Sequence, residues 1–141
     1  MTGVQTCALP IFFEAEWRYQ MTDSPEWATW VGYPGQNGRW SDQSAAAITK
    51  RQAHAVTYLK TLQKVARAKL SPTERLNLDL ALRKAGEEVE GQKFKGWLMP
   101  INQMGGPQQD VAQMLTMQPA ANEADYRDIM KRLGEIGRAH V

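Results

Sequence analysis

The sequence predicts an all-α fold, an irregular array of helices that contains one antiparallel helix hairpin. Apolar residues recur at helical spacing through most of the chain, a pattern typical of helices that bury one face. Helix start signals precede several of these runs, and the strongest is a capping box at residues 71–74. No segment alternates apolar and polar residues for long enough to predict a strand.

The first third of the chain predicts two helices followed by a loop. Helical spacing from Phe13 to Met21 predicts a helix that closes at residues 22–23. The Ser-Pro-Glu sequence at residues 24–26 is typical of an N-cap, a first-turn proline and an acid near the positive end of a helix. The short helix that it starts is followed by Pro-Gly and Asn-Gly turn signals within residues 32–40.

The middle of the chain predicts the hairpin. Residues 44–67 carry an apolar stripe at positions i, i+4, i+7 and i+11, formed by Ala55, Leu59, Leu62 and Ala66. The capping box, with proline at the first helical position, starts a second helix that fades near residue 91 or 96. Its stripe consists of Leu78, Leu82, Ala85 and Val89. Because the connection is short, the two helices should pack antiparallel.

The last third predicts a loop and two further helices. Residues 97–107 are apolar and rich in glycine and proline, and a short helix over residues 108–117 is ended by Pro119. Asn122 is the predicted N-cap of the last helix. The face of that helix expected to be buried carries Tyr126, Ile129, Met130 and Leu133.

Asn102 and Gln103 in the apolar loop are candidate substrate-binding residues. The glycine pair at 105–106 permits positive φ or close backbone approach, and Pro107 fixes the exit of the loop. The two amides could therefore hold an extended peptide by hydrogen bonds. The alternative is a buried turn in which both amides pair with nearby backbone groups. This alternative is favoured, since buried polar groups are usually there to pair.

The five tryptophans are many for a chain of this length. They could form a cleft for apolar substrate side chains, or they could be core residues, where each ring buries about 150–250 Å². Trp17 and Trp27 are expected in the core. Trp40, beside Arg39 in a loop, is expected to be exposed and is the third candidate substrate-binding residue.

Composition argues against several kinds of site. The net charge of +2, without a basic stripe interleaved with aromatics, gives no support for nucleic-acid binding, and no apolar run is long enough to span a membrane. Cys7 is the single cysteine, so no disulfide or thiolate metal site is predicted. His54 is expected to face solvent, and Glu87, Glu88 and Glu90 to form a solvated helix face. The sequence therefore predicts no catalytic residue, metal ligand or cofactor in this chain.

The two ends of the chain resemble translated sequencing-adapter DNA. The oligonucleotide ACTGGAGTTCAGACGTGTGCTCTTCCGATCT encodes the residues from Thr2 to Ile11, and its reverse complement encodes those from Ile136 to Val141 before a stop codon. We therefore expect residues 1–11 and 136–141 to be foreign and to pack poorly. Residues 12–135 would then be an internal piece of a longer gene, as in a metagenomic fragment.

Three segments resemble, in order, a bacterial family called domain of unknown function 885. Residues 24–32 are similar to its Ser-Pro-Glu-x-Ala-Thr-x-x-Gly stretch, and residues 70–76 to its Leu-Ser-Pro-x-x-Arg-Leu helix start. The Asn-Gln-Met-Gly-Gly-Pro sequence at residues 102–107 resembles a further block of the family. Together these segments span most of residues 12–135.

The resemblance implies a larger, mostly α-helical fold of which residues 12–135 form the N-terminal part. It implies a zinc-peptidase-like hydrolase whose His-Glu and Gly-His-His metal motifs lie far downstream, so zinc is expected only in the full-length parent. This chain would be non-catalytic and would build one wall of a peptide-substrate cleft, with the missing C-terminal half as its partner. Export to the periplasm or as a lipoprotein is also implied. The alternative is a helical binding or scaffold module with no catalytic parent.

Overall fold

The computed structural model describes residues 8–103 and 105–139, and this part of the chain is all-α. It contains α1 (Ala8–Asp23), α2 (Pro25–Trp30), α3 (Ala45–Gln63), α4 (Pro72–Gly91), α5 (Pro107–Met117) and α6 (Glu123–Ala139). Short 3₁₀ turns occupy Arg67–Lys69, Gln92–Phe94 and Gly96–Leu98. Within these described residues there is no strand, only an isolated bridge between Asn102 and Gly105. The predicted fold class is confirmed.

The chain divides into two compact units. The hairpin unit comprises residues 8–11 and Ala45–Met99, and the loop unit comprises Phe12–Ser44 and residues 100–139. None of the helices between residues 8 and 139 combines the length and hydropathy needed to cross a bilayer.

The hairpin unit follows its sequence pattern closely. The stripe residues Ala55, Leu62, Leu78 and Ala85 are buried, and α3 packs against α4. Two contacts fix the direction of the pairing. The amide of Gln92 donates to the carbonyl of Gln52 at 3.2 Å, and Arg67 pairs with Asp79 at 2.7 Å. Because the residue after the end of α4 meets the first half of α3, and the turn after α3 meets the first half of α4, the hairpin is antiparallel as predicted.

The capping box at the start of α4 is present in full. The backbone N–H of Glu74 donates to Ser71 Oγ at 3.3 Å, and the backbone N–H of Ser71 donates to the Glu74 carboxylate at 2.9 Å. Hydrogen bonds from the Ser71 hydroxyl and then from its backbone lower the pKa of Glu74. A carboxyl with a lowered pKa stabilises the fold when the pH is above the ordinary pKa of glutamate. This contribution is lost as the pH falls through the pKa of the folded state.

Ser71→Ala is expected to reduce the stability of the hairpin unit by about 1 kcal/mol near neutral pH, the usual cost of losing an N-cap side chain. The cost should shrink in acid, because protonated Glu74 no longer completes the box. Urea denaturation at several pH values measures both effects. Thr73→Ala, which removes an exposed hydroxyl from the same turn, is the matched control. An equal loss of stability for Ser71→Ala and Thr73→Ala would show that the cap makes no specific contribution to stability.

In the loop unit, α2 packs against α5, and residues 31–44 connect α2 to the next helix. Ser24 lies at the N-cap of α2 as predicted, but its side chain makes no capping hydrogen bond. Asn122 does cap α6, because its Oδ1 accepts the backbone N–H of Asp125 at 3.1 Å. Pro119 follows the end of α5, as predicted.

The buried face of α6 differs from the predicted one. Tyr126, Met130 and Leu133 are exposed and Ile129 is half-buried, whereas Arg132 is completely buried, with 0% of its surface exposed. The apolar stripe therefore does not identify the packed side of this helix. An arginine can occupy the interior when its donors are paired, and that condition is met here by acceptors distant in sequence.

Two further burial predictions are wrong. Trp17 and Trp27, expected in the core, are exposed on α1 and α2. Within residues 1–11, which are predicted to pack poorly, Leu9 is buried in α1, whereas Pro10 and Ile11 are exposed. Leu9 lies one helical turn before Phe13, so it continues the face of a helix that already exists. Residues 1–7 and 140–141 lie outside the described part of the chain.

Candidate functional site

The candidate site begins at the loop that carries Trp40. Gly32 and Gly35 adopt positive φ values of 74° and 83°, which turn the chain directly after α2. The hydroxyl of Thr29 lies 3.0 Å from Asn37 Oδ1, and the amide of Gln118 donates to the carbonyl of Asn37 at 2.8 Å. These contacts hold the middle of the loop against α2 and against the end of α5.

Arg132 holds the same loop from the inside. Its Nε donates to the carbonyl of Arg39 at 2.9 Å, and one Nη donates to the carbonyl of Gln36 at 3.0 Å and to Thr29 Oγ1 at 2.8 Å. The other Nη donates to Gln118 Oε1 at 3.1 Å. A planar guanidinium with five N–H donors suits such a divergent set of acceptors.

Electrostatics at Arg132 follow from this burial. Desolvation lowers the pKa of Arg132, and the negative charges of Glu26 and Asp128 act in the opposite direction. The guanidinium also lies 5.4 Å from the centre of the Trp40 ring. The indole N–H of Trp40 donates to the backbone carbonyl of Arg132 at 2.8 Å, so the two residues fix each other.

An aromatic groove opens above this arrangement, within the loop unit. Its cavity volume is about 480 Å³, within the range of small-ligand sites. Trp27 and Trp30 belong to α2 and are substantially exposed, whereas Trp40 is only 8% exposed and forms the base. The other lining residues are Ser24, Glu26, Ser41, Gln43, Asp110, Val111, Gln113, Met114 and Met117.

Helical spacing explains why these side chains converge. Trp27 and Trp30 are three residues apart on α2, so they share one side of that helix. Val111, Met114 and Met117 follow the same spacing on α5. Because α2 and α5 pack together, the two rows can form opposite sides of one groove.

The charged groups of the groove are acidic. The carboxylate of Glu26 accepts hydrogen bonds from the backbone N–H of Ser41 at 2.8 Å and from its hydroxyl at 2.5 Å. Asp110 lies in the first turn of α5 and is exposed, and no hydrogen bond or ion pair to its carboxylate occurs among the described residues. Of the described residues that line the groove, none is basic.

The side chains that line the groove are suited to binding a ligand. Exposed indole faces and methionine side chains bind apolar or cationic groups, and carboxylates accept hydrogen bonds. Across residues 8–103 and 105–139, no cluster of three or more His, Cys, Asp or Glu side chains could hold a metal ion.

The histidine and the glutamates outside the groove interact with neighbouring side chains. His54 is half-buried rather than fully solvent-facing, and its ring stacks on Tyr58 with centroids 6.4 Å apart. Glu87 and Glu90 are exposed and pair with Arg83 and Lys93, as expected of a solvated helix face.

The structure separates the three predicted substrate-binding residues. Trp40 lines the groove, but the prediction that it is exposed is wrong, since the loop folds its indole inward onto Arg132. Asn102 and Gln103 are exposed and do not line the groove. Asn102 Oδ1 accepts the backbone N–H of Gly105 at 3.0 Å. This is the local pairing of the alternative interpretation, although the turn is not buried.

Sequence reasoning missed the other principal groove residues. Trp27 was assigned to the core, and Glu26 was explained only as an acid near a helix N-terminus. Trp30, Asp110 and Met114 were not singled out. The i, i+3 spacing of the two tryptophans was a usable signal, because it places both rings on the same side of one short helix.

Comparison with known proteins gives the family. A family model described as "Bacterial protein of unknown function (DUF885)" matches residues 25–140. The chain belongs to this family. No curated protein and no solved structure matches the chain. The family match includes all the groove residues except Ser24.

Proposed function

We propose that this chain is the non-catalytic substrate-binding part of a zinc-dependent, peptidase-like family member, and that the aromatic groove holds a side chain of a peptide. The observation that carries this proposal is the convergence of Trp27, Trp30 and Trp40 with Met114 on one cavity. Two of these indoles are about half exposed. Exposed aromatic and methionine side chains around a concave site are typical of ligand-binding surfaces.

In the full-length protein, this chain would be joined by the catalytic part. The metal ligands and the catalytic residues would come from a C-terminal part, which packs beside this chain and completes the substrate cleft. Bound zinc would supply an activated water for hydrolysis. The family resemblance further supports an exported parent, either periplasmic or a lipoprotein. The described residues would contribute binding and orientation of the substrate.

Peptide binding to the 141-residue chain tests this proposal. A short, end-capped, fluorescein-labelled peptide of glycine and alanine with one variable central residue is titrated by anisotropy. Trp30→Ala is expected to weaken binding about tenfold, because a well-buried aromatic contact in an interface is worth roughly 1–2 kcal/mol. Trp17→Ala is the matched control, since Trp17 is also an exposed tryptophan but does not line the groove.

The proposal fails if no central residue gives measurable binding, or if Trp17→Ala and Trp30→Ala weaken binding equally. Binding by the chain together with hydrolysis by the longer parent would support the peptidase-like assignment. Binding without any hydrolysis by the parent would instead favour the scaffold-module alternative.

A further inference from the structure

We infer that the aromatic groove selects a basic side chain, that of lysine or arginine, on the bound peptide. This inference deepens the proposed function and rests on it. It assigns the chemical class of the bound side chain from the charges around the cavity and from the exposed faces of the indoles.

The charge of the groove favours a basic side chain. Glu26 and Asp110 line the groove, and none of the described lining residues carries a positive charge. Negative charge around a concave site favours a cationic ligand, and a neutral or acidic side chain gains nothing from it. Asp110 is the more available carboxylate, because it has no partner among the described residues.

The aromatic surface of the groove also favours a basic side chain. Trp27 and Trp30 expose about half of their surface, 49% and 53%. Tryptophan offers the best ring face for a cation, and guanidinium groups are the most frequent partners of such rings. The aliphatic stem of lysine or arginine would meanwhile cover Met114 and Met117, since long basic side chains pack their methylenes on apolar surface.

The buried arginine affects the two carboxylates differently. Glu26 interacts electrostatically with Arg132, so part of its charge is already balanced. Its oxygens also hold Ser41. The carboxylate of Asp110, by contrast, makes no hydrogen bond or ion pair among the described residues. Asp110 should therefore contribute more to selection of a cation, and Glu26 should contribute more to the shape of the groove.

Asp110 has an ordinary structural explanation as well. A carboxylate in the first turn of a helix is stabilised by the partial positive charge of the helix N-terminus. That explanation predicts an effect of Asp110→Asn on stability alone. The inference made here predicts an effect on the affinity for one class of peptide, so the two can be measured separately.

The test compares labelled peptides whose central residue is arginine, leucine or glutamate, on the full 141-residue chain. The arginine peptide is expected to bind about fivefold more tightly than the leucine peptide, the effect of about 1 kcal/mol of cation–π and ionic interaction. Asp110→Asn should lower that ratio toward the part that the indole faces supply, without changing the affinity for the leucine peptide. Glu88→Gln, which removes an exposed carboxylate that does not line the groove, is the matched control.

Salt gives an independent readout. Raising the ionic strength from roughly 0.1 M to 1 M shortens the screening length from about 10 Å to about 3 Å. The arginine peptide should lose affinity under this change and the leucine peptide should not. Far-UV circular dichroism of the Asp110→Asn chain checks that it folds, as expected for an exposed helix residue.

The results distinguish selection of a basic side chain from peptide binding itself. If arginine and leucine peptides bind equally and Trp30→Ala weakens both, peptide binding stands and selection of a basic residue is wrong. Tighter binding of the glutamate peptide would also overturn the selection. If no peptide binds, the proposed function fails, and the inference fails with it.

Discussion

Arg132→Met is expected to lower the free energy of unfolding of the loop unit by about 3–5 kcal/mol. Methionine fills much of the volume of arginine but supplies no donor. The side chain of Gln118 would lose its partner in a buried region, and the carbonyls of Gln36 and Arg39 would lose theirs in a partly buried one. Each unpaired buried polar group costs about 1–3 kcal/mol, and partial relaxation toward solvent keeps the total below the sum.

The effect should be confined to the loop unit. Urea denaturation followed by hydrogen exchange of separate peptides reports residues 25–41 independently of residues 45–91. Arg127→Ala is the control, because Arg127 lies on the same helix but only pairs with Glu123 at the surface. Surface pairs contribute between nothing and about 1 kcal/mol. A loss for Arg132→Met no greater than for Arg127→Ala would contradict the account of the buried arginine.

Leu78→Ala is expected to destabilise the hairpin unit by about 2–5 kcal/mol, because it removes a buried side chain and leaves a cavity. Leu78 is only 1% exposed at the interface of α3 and α4. Leu80 lies two residues further along the same helix and is 58% exposed. The same substitution there should cost less than about 0.5 kcal/mol.

Hydrogen exchange of peptides from residues 45–91 measures both leucine variants under identical conditions. Residues 25–41 serve as the internal reference. Equal losses of stability for Leu78→Ala and Leu80→Ala would mean that the face of α4 that carries Leu78 is not the one packed in the hairpin.

The hairpin could be predicted because its determinants are local. Leu62 and Leu78 lie on stripes that a short window of sequence displays, and the capping box at Ser71 marks where α4 begins. Once two amphipathic helices are joined by a short connection, antiparallel pairing of their apolar faces is the simplest way to bury both. The apolar stripes, the capping box and the short connection all favour the same antiparallel hairpin.

The candidate site could not be predicted in the same way. The acceptors for Arg132 are mostly backbone carbonyls, such as those of Gln36 and Arg39, which every residue type possesses. They lie more than ninety residues away in the chain. A sequence pattern therefore assigns Arg132 to the wet side of α6 and its exposed neighbours Tyr126 and Met130 to the core, the reverse of what the structure shows.

The tryptophans illustrate the same limit. Hydrophobicity alone places Trp27 inside and loop position places Trp40 outside. The structure reverses both assignments, because the loop folds back to let the Trp40 indole donate to the backbone of Arg132. Long-range pairing of polar groups, which no short window displays, thus decides which aromatic surface remains for a ligand.

The indole N–H signals of the five tryptophans test the central claim most directly. In a nitrogen-15 correlation spectrum, titration with the arginine peptide should shift the signals of Trp27 and Trp30, which line the groove. The signals of Trp17 and Trp97, which do not line it, should stay in place. Shifts confined to Trp17 or Trp97, or spread evenly over all five, would contradict the assignment of the groove as the peptide-binding site.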